Sequence, residues 1–321
     1  MNNFFKLNSP LVLRNTLIKN RLFFPNALPK TQQGPEPFPA DPMISFYSKL
    51  ARNGAAIICY ADMSNADQRQ AFNRDEQHFP MYDIKNPSVE NYISQVADCV
   101  HYYGSKLIVD VSAGNRMEDV DVVDGVPDHL PPRDLDHEVH IPEMKPQRRA
   151  MTEADIEAHI QIAVEKALYY QRLGFDGGYL GLFQGKYGNF LSGELNTRQD
   201  AYGGSLENRV RFPLRVLQAI RDAVGPDFIL VLDINRFSAG LSFEDAIAFT
   251  KLSEPYIDLI HLRAVQVQTA FDGSEENYAK PENLQYAKAL RTAGIATPIA
   301  AWTGYQELSR MEELLEPALW I

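Results

Sequence analysis

The run Asn-Thr-Arg-Gln-Asp-Ala-Tyr-Gly-Gly-Ser-Leu-Glu-Asn-Arg-Val-Arg-Phe, residues 196–212, continuing to Gly225, sets the reading of the whole chain. It begins as a polar loop with a glycine pair, Gly203 and Gly204, after which Ser205 offers a side-chain oxygen to start a helix. Leu206, Val210, Leu214, Leu217, Ile220 and Val224 follow at three- and four-residue steps, the spacing of one apolar helix face. Gly225-Pro226-Asp227 closes that helix, and the apolar run 228–235 behind it reads as a strand.

The same unit repeats outward in both directions. Strand-like runs at 21–26, 55–62, 106–112, 176–182, 228–235, 258–265, 298–302 and 318–321 alternate with helical patterns near 42–53, 88–103, 152–173, 205–224, 242–254, 281–293 and 305–315. Such alternation implies parallel pairing through right-handed crossovers. Eight strands in this order predict a single-domain (β/α)8 TIM barrel over 1–321, with a doubly wound sheet as the alternative. Helix-to-strand links are short: Gly54 alone, Gly104-Ser105, Gly174-Phe175 and Gly225-Pro226-Asp227. Strand-to-helix links are long, near 27–41, 63–87, 113–151, 183–204 and 266–280, as expected if the carboxyl-terminal mouth carries a site. The longest, 113–151, is a candidate lid or simply a polar loop. The eighth strand is only begun at Leu319-Trp320-Ile321, so the eighth βα unit is expected to be incomplete. A second copy or a partner is expected to cover that seam.

Composition narrows the function classes. The chain has 321 residues, 45% of them apolar and 23% charged, with a net charge of −11 that disfavours a nucleic-acid partner. No run is long and apolar enough to span a bilayer, and Met-Asn-Asn-Phe-Phe-Lys lacks the apolar core of a signal peptide. Cys59 and Cys99, the only cysteines, make no disulfide framework and cannot supply a four-cysteine cluster, so a reducing cytoplasm is expected.

Beyond its physical reading, the 198–209 string resembles the Arg-x-Asp-x-Tyr-Gly-Gly-Ser-x-Glu-Asn-Arg signature of the Old Yellow Enzyme (NADH:flavin oxidoreductase) family. Leu17–Pro25 is similar to that family's first strand, Gly174-Phe175-Asp176-Gly177 to the start of its fourth, and 298–304 to its seventh. The resemblance implies a barrel that binds FMN across its mouth, takes a hydride from NADH or NADPH, and passes it to an activated alkene. The flavin edge gains negative charge on reduction, and such chemistry wants a cation and amide donors there. A carbonyl substrate wants hydrogen-bond donors and a proton donor.

Carried over residue by residue, the resemblance places Pro25, Asn26, Ala27, Ala55, Asp110, Gly181, Gln184, Asp233, Arg263, Thr303 and Gly304 against the cofactor. Several depart from the family pattern. Ala27 stands where a small hydroxyl or cysteine is expected, Asp110 for a glutamine, and Gly181 and Gln184 for a histidine and an asparagine or second histidine. Asp233 aligns with an arginine, and Thr303-Gly304 with a glycine pair. A one-residue deletion precedes Phe190, near Tyr187, the candidate proton donor.

Alternation along each strand puts Asp110, Asp233, His261 with Arg263, and Tyr179 with Gly181 on faces that turn inward together. Asp110, Asp233, His261 and Tyr187 are thus the candidate catalytic residues, and the two aspartates are equally explained as a network with Arg263, Arg236 or Arg116. Two carboxylates would oppose a reduced flavin, so FMN is expected to bind more weakly than in the family at large. The alternatives are a flavin-free isomerase or lyase using a mouth carboxylate, and a non-catalytic family remnant. No metal site is expected.

Overall fold

A computed structural model of the chain describes residues 4–25, 41–61, 87–113, 120–124, 148–234, 237–263, 281–302 and 307–315. An antiparallel hairpin of β1 (Leu11–Leu13) and β2 (Thr16–Ile18) comes first. The main sheet then takes β3 (Phe23–Phe24), β4 (Ile57–Tyr60) and β5 (Lys106–Asp110). A separate parallel pair, β6 (Val120–Asp121) and β7 (Arg149–Ala150), interrupts it. The sheet resumes with β8 (Gly177–Leu180), β9 (Ile229–Ile234), β10 (Leu259–Leu262) and β11 (Ile299–Ala301). Neighbours follow chain order, and every pair within the sheet is parallel.

The sheet is curled, and one contact establishes it. Phe23 on β3 and His261 on β10 are five strand steps apart, which in a flat sheet would separate them by roughly 24 Å. Their ring centroids lie 4.5 Å apart. Side chains alternate accordingly: Ile57, Cys59, Ile108, Tyr179, Ile229, Val231, Leu259 and Ala300 fill the interior, with Leu13 and Ile18 of the hairpin packed into the same cluster. Ile58, Tyr60, Leu107, Val109, Leu180, Leu230, Leu232, Ile260 and Leu262 face the helices. The seven described strands of the barrel fall where the sequence puts them, each two to four residues shorter than the run. The expected eighth strand at 318–321 and its seam lie outside the described residues.

Helices α1 (Asp41–Arg52), α2 (Pro87–His101), α3 (Glu153–Arg172), α4 (Gly185–Leu191), α5 (Leu206–Arg209), α6 (Arg211–Val224), α7 (Phe243–Ser253), α8 (Pro281–Thr292) and α9 (Leu308–Leu314) complete the described elements. Thr152 and Asp155 cap α3 reciprocally, and the Ser205 side chain accepts the Asn208 amide as expected. The helix expected as one piece over 205–224 is divided at Val210. Pro213 explains the division, because a residue without N–H is accommodated in a helix's first turn and not in its interior. The hairpin and α4 went unread in the sequence: three-residue strands carry too little alternation, and α4 occupies what reads as loop.

The candidate lid at 113–151 is described only near its ends. There β6 and β7 are tied to the barrel by Asp121, fully buried, which accepts from Asn189 Nδ2 and from Arg148 Nη1, both at 3.0 Å.

Candidate active site

Strand ends β5, β8, β9 and β10 meet at the carboxyl-terminal mouth. Asp233 on β9 sits beside His261 on β10 in register, and both are nearly sealed, at 2% and 4% exposure. Asp233 Oδ1 is 2.7 Å from His261 Nδ1, and Oδ2 accepts from Arg263 Nη2 at 2.9 Å. A buried carboxylate without partners would be costly, and this one has a cation and an imidazole. Of the three arginines open as partners in the sequence, Arg263 fills the role; Arg116 and Arg236 lie outside the described residues.

Asp110 closes β5, half-buried, its Oδ1 accepting the Ser112 amide at 2.8 Å. It stands in register with Tyr179 on β8, whose side chain lies in the barrel interior. Burial pushes the Tyr179 hydroxyl well above the ordinary tyrosine range; Asp110, Cys59 and Asp233 push the same way, and Arg263 opposes them. Tyr179 is therefore a protonated phenol, a hydrogen-bond donor set among charges. Sequence reasoning put it on the inward face and gave it no role. The available signal was its place two residues before Gly181 on the same face.

Among the described residues, a Cβ built at Gly181 would make ordinary contact with Gln184 Nε2 at 3.5 Å and Asp233 Oδ2 at 4.0 Å, so the position holds no side chain where one could stand. Gln184, in extended conformation before α4, makes no side-chain cap bond, which leaves its amide beside that position.

Two expected positions are corrected. Tyr187 lies on α4, packed against His159 of α3 and Phe212 of α6, in the layer between sheet and helices. Its hydroxyl is 3.0 Å from His159 Nε2 and accepts the Ala113 amide at 3.5 Å, so it is committed to the scaffold and away from the proton-donor role. Its place on α4 sets the ring against α3 and α6. Ala55 precedes β4 at the amino-terminal edge, where its carbonyl accepts from Ser105 Oγ at 2.7 Å, at the opposite end of the strand from the mouth. Pro25 follows β3 and is half-buried. Asn26, Ala27, Thr303 and Gly304 lie outside the described residues. No group of three or more His, Cys, Asp or Glu suited to a metal occurs among the described residues.

The described mouth meets a flavin's needs in two respects. Its position 181 carries no side chain, and it has a cation, Arg263, whose Nε is buried without a hydrogen-bond partner among the described residues. The guanidinium follows β10, beside β9, which carries Asp233, and that carboxylate partly neutralises it.

The comparisons agree with this architecture. The model of the NADH:flavin oxidoreductase / NADH oxidase family matches residues 6–296. An NADH oxidase of Thermoanaerobacter brockii is 28% identical over 278 residues, covering 82% of this chain and 40% of that protein. A multifunctional alkene reductase/demethylase of Caballeronia cordobensis is 25% identical over 252 residues, covering 77% of this chain and 35% of its own length. The chain thus spans less than half the length of these two curated relatives. Morphinone reductase superposes with a TM-score of 0.68 at 18% identity, over 99% of this chain and 86% of that one, a likeness of fold. With the family model covering nearly the whole chain, the protein belongs to the NADH:flavin oxidoreductase / NADH oxidase family.

Proposed function

We propose that the chain is an oxidoreductase of Old Yellow Enzyme type, in which the barrel mouth takes FMN, accepts reducing equivalents from NADH or NADPH, and reduces an activated alkene on a small carbonyl compound. Family membership supports FMN and NAD(P)H as cofactor and reductant. The observation that carries the reading is the Arg263 guanidinium, its buried Nε unpartnered among the described residues, across Asp233 from the side-chain-free position Gly181.

When bound, FMN supplies the hydride transfer. The protein's own residues hold and polarise. Arg263 presents positive charge to the pyrimidine edge, and Asp233 with His261 fixes the guanidinium's position. Tyr179 stays protonated and donates a hydrogen bond within the mouth. Gln184 offers its amide beside Gly181. Asp233 and Asp110 oppose negative charge on a reduced flavin, so affinity is expected to fall below that usual in the family. The 113–151 segment is proposed as the lid over this mouth. A cytoplasmic location is proposed on the two free cysteines, and no helix among the described residues is long and apolar enough to cross a membrane.

The test is fluorescence-quenching titration with FMN, followed by NADH or NADPH oxidation with a cyclic enone as acceptor. Saturable quenching and enone-dependent oxidation support the reading. Absence of quenching at FMN levels far above those in cells sinks it.

A further inference from the structure

His261 and Asp233 form a pair that hydride transfer does not use as such. With Nδ1 engaged by Asp233 Oδ1 at 2.7 Å, the neutral imidazole carries its proton there and keeps a basic lone pair on Nε2, across the ring. Nε2 has no hydrogen-bond partner among the described residues, and the ring is held from the other side of the barrel by Phe23. Arg263 spends one N–H on Asp233, and its buried Nε–H is unpartnered among the described residues. Tyr179 adds a protonated hydroxyl under the influence of the same charges. A base oriented by a carboxylate, beside a cation and a phenol, is the donor and acceptor set that enolisation requires.

We propose that the mouth has a second, cofactor-independent activity: reversible proton abstraction α to the carbonyl of a small ketone. His261 Nε2 takes the proton as the Cα–H bond breaks. The bonding pair becomes the C=C of an enolate, whose oxygen charge is met by Arg263 and Tyr179. Asp233 stabilises the imidazolium that forms. Return of the proton to the same carbon completes an exchange; return to the γ-carbon of a dienolate moves a double bond into conjugation. No electron is gained or lost, so neither FMN nor NAD(P)H takes part, and this activity stands apart from the oxidoreductase reading.

The experiment follows deuterium incorporation into cyclohexanone in D2O by mass spectrometry, using the full chain stripped of flavin. Exchange above the buffer rate is expected, falling about a hundredfold in His261→Gln. Asp233→Asn is expected to slow it by about tenfold or more, because it loosens the imidazole's orientation and proton position. Thermal midpoints of both variants are measured alongside, and Arg263→Lys, which keeps the charge, serves if either variant fails to fold; it is expected to retain a reduced exchange rate. Wild-type exchange no faster than buffer overturns the proposal, as does an unchanged rate in folded His261→Gln. Failed FMN titration with intact exchange removes the redox reading alone, and the converse removes this one alone.

Discussion

Two regions of this chain spend their side chains differently, the 196–225 scaffold and the ring of strand ends at the mouth. In the first, nearly every signature side chain is spent on backbone. Asn196 Nδ2 donates to the carbonyls of Phe190 and Tyr202, and Arg198 Nη1 to those of Val122 and Met151. Asn208 donates to the Gly203 carbonyl, and Arg209 to those of Gly204 and Leu191 and to Asp245. A Cβ at Gly203 would overlap the Arg198 carbonyl, so only glycine fits. These bonds fix α6 and the base of the 113–151 segment against the barrel. In the mouth, by contrast, Asp233 bonds to side chains, His261 and Arg263, and Gly181 has no side chain to spend. A signature built largely of backbone contacts reports architecture and leaves the chemistry of the mouth unread.

The comparison predicts large stability effects in the scaffold and small ones in the mouth. The largest is expected for Arg209→Ala. Arg209 is buried, and its removal strands the Leu191 carbonyl and the Asp245 carboxylate together. A loss of about 3–5 kcal/mol in denaturant unfolding is expected. A loss below about 1 kcal/mol would break the claim that this region is the structural keystone.

Next in size is an acid effect at His159, which belongs to the scaffold with Tyr187. Burial, aided by Lys186, depresses its folded pKa to about 3 from an ordinary 6.5. Between those values the unfolded chain holds a proton that the folded chain refuses, so stability is full above pH 6.5 and falls as pH drops toward 3. Between pH 6.5 and 4 the loss amounts to about 3 kcal/mol. Urea unfolding across that range should show the slope, and His159→Gln should flatten it. An equal slope in the variant would place the acid sensitivity elsewhere.

What the sequence revealed and what it hid follow the same division. Strand faces were legible because burial imposes a period of two: Asp110, Asp233, His261 and Gly181 all turn toward the mouth as alternation requires. Tyr187 fell in a stretch read as loop, where no periodicity fixes a side chain's direction, and it stands on α4. Ala55 was misplaced although chain direction was legible: it opens the run 55–62, at the end away from the carboxyl-terminal mouth. Arg263 stood among three possible partners for Asp233, and only the register of β9 with β10 singles it out. Tyr179 was placed on the inward face with Gly181, and the charges around it came only with the fold.

A smaller effect is expected for Tyr187→Phe. The change removes the hydroxyl bonded to His159 and leaves the ring in place, at a cost of about 1–2 kcal/mol. If Tyr187 is scaffold, the FMN dissociation constant and the enone reduction rate per folded molecule stay unchanged. A rate lowered tenfold or more, with stability intact, would return it to the mouth as a proton donor.

The smallest stability effect is expected at Gly181, where the mouth itself is probed. A Cβ there makes ordinary contact with Gln184 Nε2 at 3.5 Å and near contact with Asp233 Oδ2 at 4.0 Å, so nothing has to shift. Gly181→Ala should leave the unfolding midpoint within what about 0.5 kcal/mol moves, or raise it slightly by restricting the unfolded chain. The methyl group nevertheless occupies space proposed for the ligand. FMN affinity, read by fluorescence quenching, should fall while stability does not, which is the reverse of the pattern at Arg209. If Gly181→Ala instead binds FMN as tightly as the parent, the space beside Gly181 is not the flavin's. If it unfolds the protein, the mouth is as tightly built as the scaffold and the contrast between the two regions fails.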